Sequence, residues 1–345
     1  MDNKIWLSTT KEYFLKDKVI LLRIDSDVDL KEEKGELVVD EDFRIKSVLP
    51  TIRFLQNQGV SRIIMLGHLG RPGGRPVKEL SLKPVADWFS EHLGKCRLAV
   101  DYSTIEPSDR LVLLENLRFD TGEEVNDKHF IAKLAVLGDV FVNDAFGVSH
   151  RDHASITGLA KSLPSFLGLR FEAEVKTLSW IKTKAKRPLV FVLGGSKQGK
   201  LDYIPFLAEW ADYLLVGGKL PVLIKNSKFK IENSKLIVAE LKENNRDINT
   251  ESVKRFKQVI NQGETIVWAG PMGVYEEEEN WNGTFEIAKA VANSAGFKIA
   301  GGGDTHRVLS WTNLWDKFDF VSVGGGAALQ FLKDNTLPGL KAIEK

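Results

Sequence analysis

The chain has 345 residues, of which 43% are hydrophobic and 28% charged, and its formal net charge is +1. That length provides for about two domains of an ordinary soluble globular protein. The balanced charge gives no general attraction to nucleic acid or membranes, so any anion site has to be local. The single cysteine, Cys96, excludes an intramolecular disulfide and any multi-cysteine metal site, and its apolar-leaning strand context predicts a packed thiol. The start Met1-Asp2-Asn3-Lys4 has no signal-peptide h-region and no run approaches membrane-spanning length, so a cytoplasmic location is expected. The sequon Asn282-Gly283-Thr284 is accordingly expected to stay unmodified.

In the first half, four short aliphatic runs read as buried strands: Val19 to Ile24, Arg62 to Leu66, Leu111 to Leu114 and Val140 to Val142. They are apolar on both faces and separated by helical-length stretches, predicted over Arg44 to Gln58, Lys83 to His92 and Asp127 to Leu137. That pattern predicts a parallel, doubly wound sheet. The strands run into Arg23 and Asp25, into Gly67-His68-Leu69-Gly70-Arg71, into Glu115-Asn116-Leu117-Arg118, and into Asn143-Asp144. Ligands of such sheets bind outside the carboxyl ends of the strands. Arg23, His68, Arg71, Arg118, His150 and Arg151 are therefore predicted to line one crevice, joined by Arg44 from the helix that follows Asp42. Convergent guanidinium groups suit a phosphorylated, carboxylated metabolite, because the planar fork holds oxyanions bidentately. The stretch from Val140 to Ser155 separates this half from a differently built one and is a candidate floor for a cleft between two domains.

Arg170 to Lys184 is predicted to be a long amphipathic connecting helix, ended before Arg187-Pro188. The strands after it end in glycine instead of charge. Leu189 to Leu193 meets Gly194-Gly195-Ser196-Lys197-Gln198-Gly199-Lys200, and Tyr213 to Val216 meets Gly217-Gly218. Thr265 to Trp268 meets Gly270-Pro271-Met272-Gly273, Phe297 to Ala300 meets Gly301-Gly302-Gly303-Asp304-Thr305, and Phe320 to Val323 meets Gly324-Gly325-Gly326. Glycines there let backbone N–H groups approach a ligand, and helix N-termini favour phosphate. In series with Lys197, Lys200 and Asp304 they read as a site for a nucleotide polyphosphate. Gly194-x-x-x-x-Gly199-Lys200 also has P-loop spacing, but Leu201 stands where that mechanism needs a metal-binding hydroxyl.

Together these motifs resemble the phosphoglycerate kinase family. The resemblance rests on Arg23-Ile24-Asp25-Ser26-Asp27-Val28, Gly67-His68-Leu69-Gly70-Arg71-Pro72, Leu114 to Phe119, Val142 to Gly147, His150-Arg151 and His153-Ala154-Ser155. It continues through Val267 to Glu276, Gly301 to Thr305, Gly324 to Ala327 and Leu337-Pro338-Gly339, in the family's order.

It implies an α/β fold of two Rossmann-like, doubly wound parallel-sheet domains facing a cleft and joined by a hinge helix. Residues 1–168 with the returning tail 331–345 would bind 3-phosphoglycerate, 169–184 would form the helix, and 185–330 would bind nucleotide. By motif, Asp25, Asp27, Arg44, His68, Arg71, Arg118 and Arg151 would hold the phosphoglycerate. Arg44, Lys197, Lys200, Gly302 and Gly325 would act at the transferring phosphoryl group. Gly195, Lys197, Lys200, Gly217, Gly218, Pro271, Val274, Glu276, Gly303, Asp304, Thr305, Gly324, Gly325 and Gly326 would hold ATP or ADP, with Glu276 on the ribose and Asp304 on Mg²⁺. The implied reaction is phosphoryl transfer between ATP and the carboxylate of 3-phosphoglycerate, giving 1,3-bisphosphoglycerate, by a cytoplasmic monomer that binds neither nucleic acid nor membrane. Domain closure would bring the two substrates together and expel water.

This chain departs from the family pattern at several positions. Asp27 stands for Asn, Asp29 for Pro, Ala269 for Asn and Val323 for Thr, and one residue fewer separates Lys197 from Lys200. The stretch between Gly218 and Asp247 is shorter than in the family, where adenine-pocket walls arise, so weaker base discrimination is expected. A catalytically silent binding protein and a kinase for another small phosphorylated acid remain alternatives.

Overall fold

A computed structural model describes residues 5–10, 12–226 and 235–344. The chain divides into two compact units, residues 1–176 with 336–345, and residues 177–335.

In the first unit the strands are β1 (Val19–Arg23), β2 (Leu30–Glu33), β3 (Glu36–Val39), β4 (Arg62–Leu66), β5 (Arg97–Ala99), β6 (Leu111–Leu114), β7 (Val140–Asn143) and β8 (Ser165–Leu167). All but β2 and β3 form one sheet in the order β5-β6-β4-β1-β7-β8, with every pairing parallel. β6 and β7 are buried along their whole length, as expected of strands covered by helices on both faces. The order reverses at β1, which has β4 on one side and β7 on the other. The open end beyond their carboxyl termini is the topological switch point where such sheets take ligands. The strand at Leu236–Val238, β11, and the edge strands β5 and β8 were not expected; each has three residues.

The expected helix over Arg44 to Gln58 is two helices, Phe43–Lys46 and Leu49–Asn57. Pro50 is the reason: it has no N–H to return to the Lys46 carbonyl, and it is tolerated only in the first turn of a new helix. The β2–β3 hairpin, also unexpected, turns at Lys34 and Gly35, both at positive φ, where paired left-handed residues match the strand twist. The segment from Thr336 onward belongs to this unit. Gly339 donates its N–H to the Ser149 carbonyl at 2.9 Å, and Leu337, Leu340 and Ile343 are buried. Residues 331–335 fall in the second unit, because the helix Gly325–Asp334 continues to a left-handed cap at Asn335.

The second unit carries β9 (Leu189–Leu193), β10 (Tyr213–Val216), β11 (Leu236–Val238), β12 (Thr265–Ala269), β13 (Phe297–Gly301) and β14 (Phe320–Ser322). Their order is β11-β10-β9-β12-β13-β14, again all parallel. This is the doubly wound arrangement of a Rossmann sheet, with its switch point between β9 and β12. The helix Leu169–Lys184 spans the division between the units. Its Phe171, Val175, Leu178 and Ile181 are buried, the 4-3-3 spacing of one helix face. Cys96 lies buried just before β5, and burial pushes its thiol up to about 12.

Candidate active site

Beyond the carboxyl ends of β1 and β4, charged side chains are taken out of water. Arg23 and His68 are each 1% exposed, and Asp25 and Arg118 are also buried. Arg23 does not point outward as expected. Its Nε donates to Ser155 Oγ at 2.8 Å, its Nη1 to the carbonyls of Ile24 and Leu66, and its Nη2 meets His68 Nδ1 at 3.0 Å. A strand-end guanidinium buried this way needs acceptors inside the protein, and here two backbone carbonyls and two side chains take four of its five N–H groups.

This fixes the state of His68. A guanidinium has only donors, so Nδ1 accepts and the ring proton sits on Nε2. Burial, with Arg23, Arg118, Arg151 and Arg44 nearby, holds the His68 pKa well below its ordinary value, so the ring is neutral. Its Nε2 is buried with no hydrogen-bond partner and lies 4.0 Å from Asp27 Oδ2. Ser26 pins the backbone on both sides of the ring: it accepts from the His68 N–H at 2.9 Å and donates to the His68 carbonyl at 2.8 Å.

Arg44, carried by the helix Phe43–Lys46, approaches both acidic residues of the β1 loop. Its Nε is 3.9 Å from Asp25 Oδ2 and its Nη1 3.9 Å from Asp27 Oδ2, while Nη1 also donates to the Asp27 carbonyl. Burial opposes the charge on Arg44, but Asp25, Asp27, Glu41 and Asp29 together raise its pKa. Burial raises the pKa of Asp25, and Arg44 works against that rise. Arg118 donates to the Gly70 carbonyl at 2.7 Å; burial and then Arg151 depress its pKa. Arg151 Nε is buried without a partner, as is Arg118 Nε, although the latter has Glu124 at 3.4 Å. Arg71 is exposed, and no hydrogen bond or ion pair among the described residues holds it. The structure thus gathers Asp25, Asp27, Arg44, His68, Arg118 and Arg151, leaves Arg71 at the surface, and turns Arg23 into the framework.

Two residues outside the predicted set support this cluster. Glu123, fully buried, accepts from Ser155 Oγ at 2.6 Å and from the Ser155 N–H at 3.0 Å. Its sequence signal was only an acid shortly after the Arg118 loop.

In the second unit the loops after β9, β10 and β12 interlock. Gly195 N–H donates to the Pro271 carbonyl at 2.7 Å and Gly218 N–H to the Met272 carbonyl at 3.0 Å. At Gly218, φ is +65° and a Cβ would stand 2.5 Å from the Gly195 nitrogen, so only glycine fits. Gly217 lies beside it, and Val274 closes the turn by donating to the Arg246 carbonyl at 2.8 Å. Lys200 Nζ bridges the switch point, donating to the carbonyls of Gly194 at 2.7 Å and Ala269 at 3.1 Å. Burial lowers its pKa to about 8, against the opposing pull of Asp304. Lys197 and Glu276 are exposed.

The helices Gly303–Thr312 and Gly325–Asp334 begin side by side. A Cβ on Gly325 would meet the Gly302 Cα at 3.1 Å, so glycine at this contact brings two helix N-termini together, with Gly324 and Gly326 flanking. Asp304 is exposed in the first turn of one of them. Thr305 is buried, and its Oγ1 accepts from the Gly270 N–H at 3.0 Å. Among the described residues no cluster of three or more His, Cys, Asp or Glu could hold a metal by itself.

A family model described as phosphoglycerate kinase matches residues 10–246 and 225–335. The chain belongs to the phosphoglycerate kinase family. Relatives include the phosphoglycerate kinase of Borrelia garinii subsp. bavariensis, 37% identical over 384 residues, covering 95% of this chain and 96% of the relative. That of Solibacter usitatus is 35% identical over 382 residues, covering 96% and 97%. Both alignments are longer than this chain, which therefore lacks segments that the relatives have. Among solved structures, phosphoglycerate kinase from Coxiella burnetii superposes with a TM-score of 0.76 at 32% identity, covering 98% of each chain. The enzyme from Pyrococcus horikoshii OT3 gives 0.82 at 26% identity, covering 99% of this chain and 98% of that one.

Proposed function

We propose that this chain transfers a phosphoryl group reversibly between ATP and the carboxylate of 3-phosphoglycerate, forming 1,3-bisphosphoglycerate and ADP. The observation that carries this reading is the first-unit cluster, where His68 Nε2–H and Arg151 Nε are buried without partners beside Arg44 and Arg118. Unpaired buried donors are costly unless a ligand completes them. A small acid bearing both a phosphate and a carboxylate supplies the acceptors they lack.

The acceptor carboxylate is already a nucleophile, so no general base is needed, and a neutral His68 serves as a donor only. Arg44 places its guanidinium on the transferring phosphoryl, where a fixed cation stabilises equatorial oxygens without reorganising. Lys200 and Lys197, the N–H groups at the paired helix starts, and Thr305 orient the nucleotide phosphates, with Glu276 on the ribose. Mg²⁺ fits here: it binds through one or two carboxylates plus phosphate oxygens, and Asp304 offers one exposed carboxylate at a helix N-terminus. When bound, the ion neutralises phosphate charge. Both residue sets lie in one chain, so a monomer suffices. Among the described residues no helix is long and apolar enough to cross a membrane.

A coupled assay with 3-phosphoglycerate and either ATP or GTP tests the reading. Turnover with 3-phosphoglycerate is expected, with ATP and GTP differing little in kcat/KM because affinity comes mainly from phosphate contacts. Residues 227–234 of the shortened stretch lie outside the described residues. Absence of turnover with both nucleotides contradicts the assignment.

A further inference from the structure

A hydrogen-bonded chain runs from Glu123 through Ser155 and Arg23 to His68, and each link has only one possible direction. Arg23 Nε is a donor, so Ser155 Oγ accepts it at 2.8 Å and must pass its own proton to Glu123 Oε1 at 2.6 Å. At the other end Arg23 Nη2 donates to His68 Nδ1 at 3.0 Å, which leaves the ring proton on Nε2. Glu123 also receives the Ser155 N–H at 3.0 Å, so its carboxylate is held at both oxygens. It is the first of the acidic groups whose charge sustains the buried Arg23 cation against desolvation.

We propose that Glu123 and Ser155 are positioning residues for acid binding: they lock the Arg23 guanidinium so that His68 presents a neutral Nε2–H to the substrate. The inference rests on the functional reading above only for the identity of that substrate. Without the Ser155 hydroxyl, Arg23 Nε loses its acceptor and Glu123 loses the donor at Oε1. The guanidinium then turns toward Glu123 and withdraws Nη2 from the imidazole. His68 Nδ1, no longer capped by a donor, becomes free to carry the proton, and Nε2 becomes an acceptor aimed at an anion. Neither Glu123 nor Ser155 touches the substrate in this arrangement.

The test combines nitrogen-15 NMR of labelled histidine with steady-state kinetics on wild type, Ser155→Ala, Ser155→Thr and Glu123→Gln, each checked for folding by its thermal melt. Wild type is expected to show His68 as the Nε2–H tautomer. Ser155→Ala should add the Nδ1–H form and raise KM for 3-phosphoglycerate about three- to tenfold, the effect of one misdirected hydrogen bond. Its KM for ATP should stay within about twofold, and Ser155→Thr, which restores the hydroxyl, should recover the wild-type tautomer. If Ser155→Ala does not fold, Glu123→Gln supplies the same readouts at nearly constant volume. A folded Ser155→Ala or Glu123→Gln variant that keeps the Nε2–H tautomer, or loses it with no change in KM, overturns the proposal. The tautomer is read without turnover, so a wild type inactive on 3-phosphoglycerate counts against the functional reading and not against the network.

Discussion

The Gly70 backbone N–H donates to Asp27 Oδ1 at 2.9 Å, which leaves Asp27 Oδ2 facing Arg44 Nη1 at 3.9 Å and His68 Nε2 at 4.0 Å. One carboxylate oxygen is therefore spent on the loop after β4, and the other stands among the donors proposed to meet the acid. Two like charges about 4 Å apart repel by about 4 kcal/mol at an effective dielectric of 20, and solvent reduces this for a side chain 41% exposed. Arg44 offsets part of the rest. Asp27→Asn can keep an amide oxygen on Gly70 and turn a donor outward, so KM for 3-phosphoglycerate should fall about three- to tenfold. Steady-state kinetics decide; weaker binding by the Asn variant would mean that Asp27 makes a favourable contact and that another acid is the substrate.

Arg44 is held by Asp25 and Asp27 without a close bidentate pair, so it remains available to a ligand. Arg44→Ala should lower kcat by about 10²- to 10³-fold, the usual effect of losing one electrostatic donor at a transition state. Nucleotide affinity should change by no more than about threefold, since Arg44 lies in the other residue set. A variant that keeps most of its kcat removes Arg44 from the reacting centre.

Lys200 gives a proton-linked prediction. Its pKa, lowered to about 8 by burial, means that near pH 8 a substantial share of free enzyme carries a neutral amine. Polyphosphate next to Nζ favours the charged form and raises that pKa, so nucleotide binding should take up a proton, most strongly at and just above pH 8, and affinity should decline as pH rises further. Calorimetry in buffers of different ionisation enthalpy measures the uptake. Lys200→Met should abolish it, and equal uptake in the variant would assign the proton elsewhere.

Asp144 caps the start of the helix Leu169–Lys184, accepting the Phe171 N–H at 2.9 Å, and burial raises its pKa to about 7. A raised acid pKa means that the folded state holds the proton more tightly than the unfolded chain. Its stabilising contribution is present below about pH 4 and is lost as pH climbs to about 7. Asp144→Asn should therefore gain Tm relative to wild type between about pH 4 and 8, with the gain growing as pH rises. A constant difference across that range would show that Asp144 does not titrate there.

The parallel sheets were legible because β1, β4, β6, β7 and β9 are aliphatic runs whose two faces are both covered. The edge strands β5, β8 and β11 have three residues each, too few to show a period, and the β2–β3 hairpin exposes most of its side chains. Pro50 marked a break inside a stretch that otherwise reads as one helix. The site residues at the strand ends were visible as one charged group per strand. The inward turn of Arg23 was not, because its orientation depends on Ser155, 132 residues away, and through it on Glu123. Arg71 shows the converse: it sits in a matching motif, yet nothing described holds it at the cluster.

The most direct test of the account is whether the acid's carboxylate receives the phosphoryl group. With 3-phosphoglycerate, Mg²⁺ and ATP, hydroxylamine should trap the acyl phosphate as a hydroxamate in equal amount to the ADP formed, and Arg44→Ala should suppress both together. ADP released without hydroxamate, or no ADP above the nucleotide-only control, would contradict phosphoryl transfer to a carboxylate by this chain.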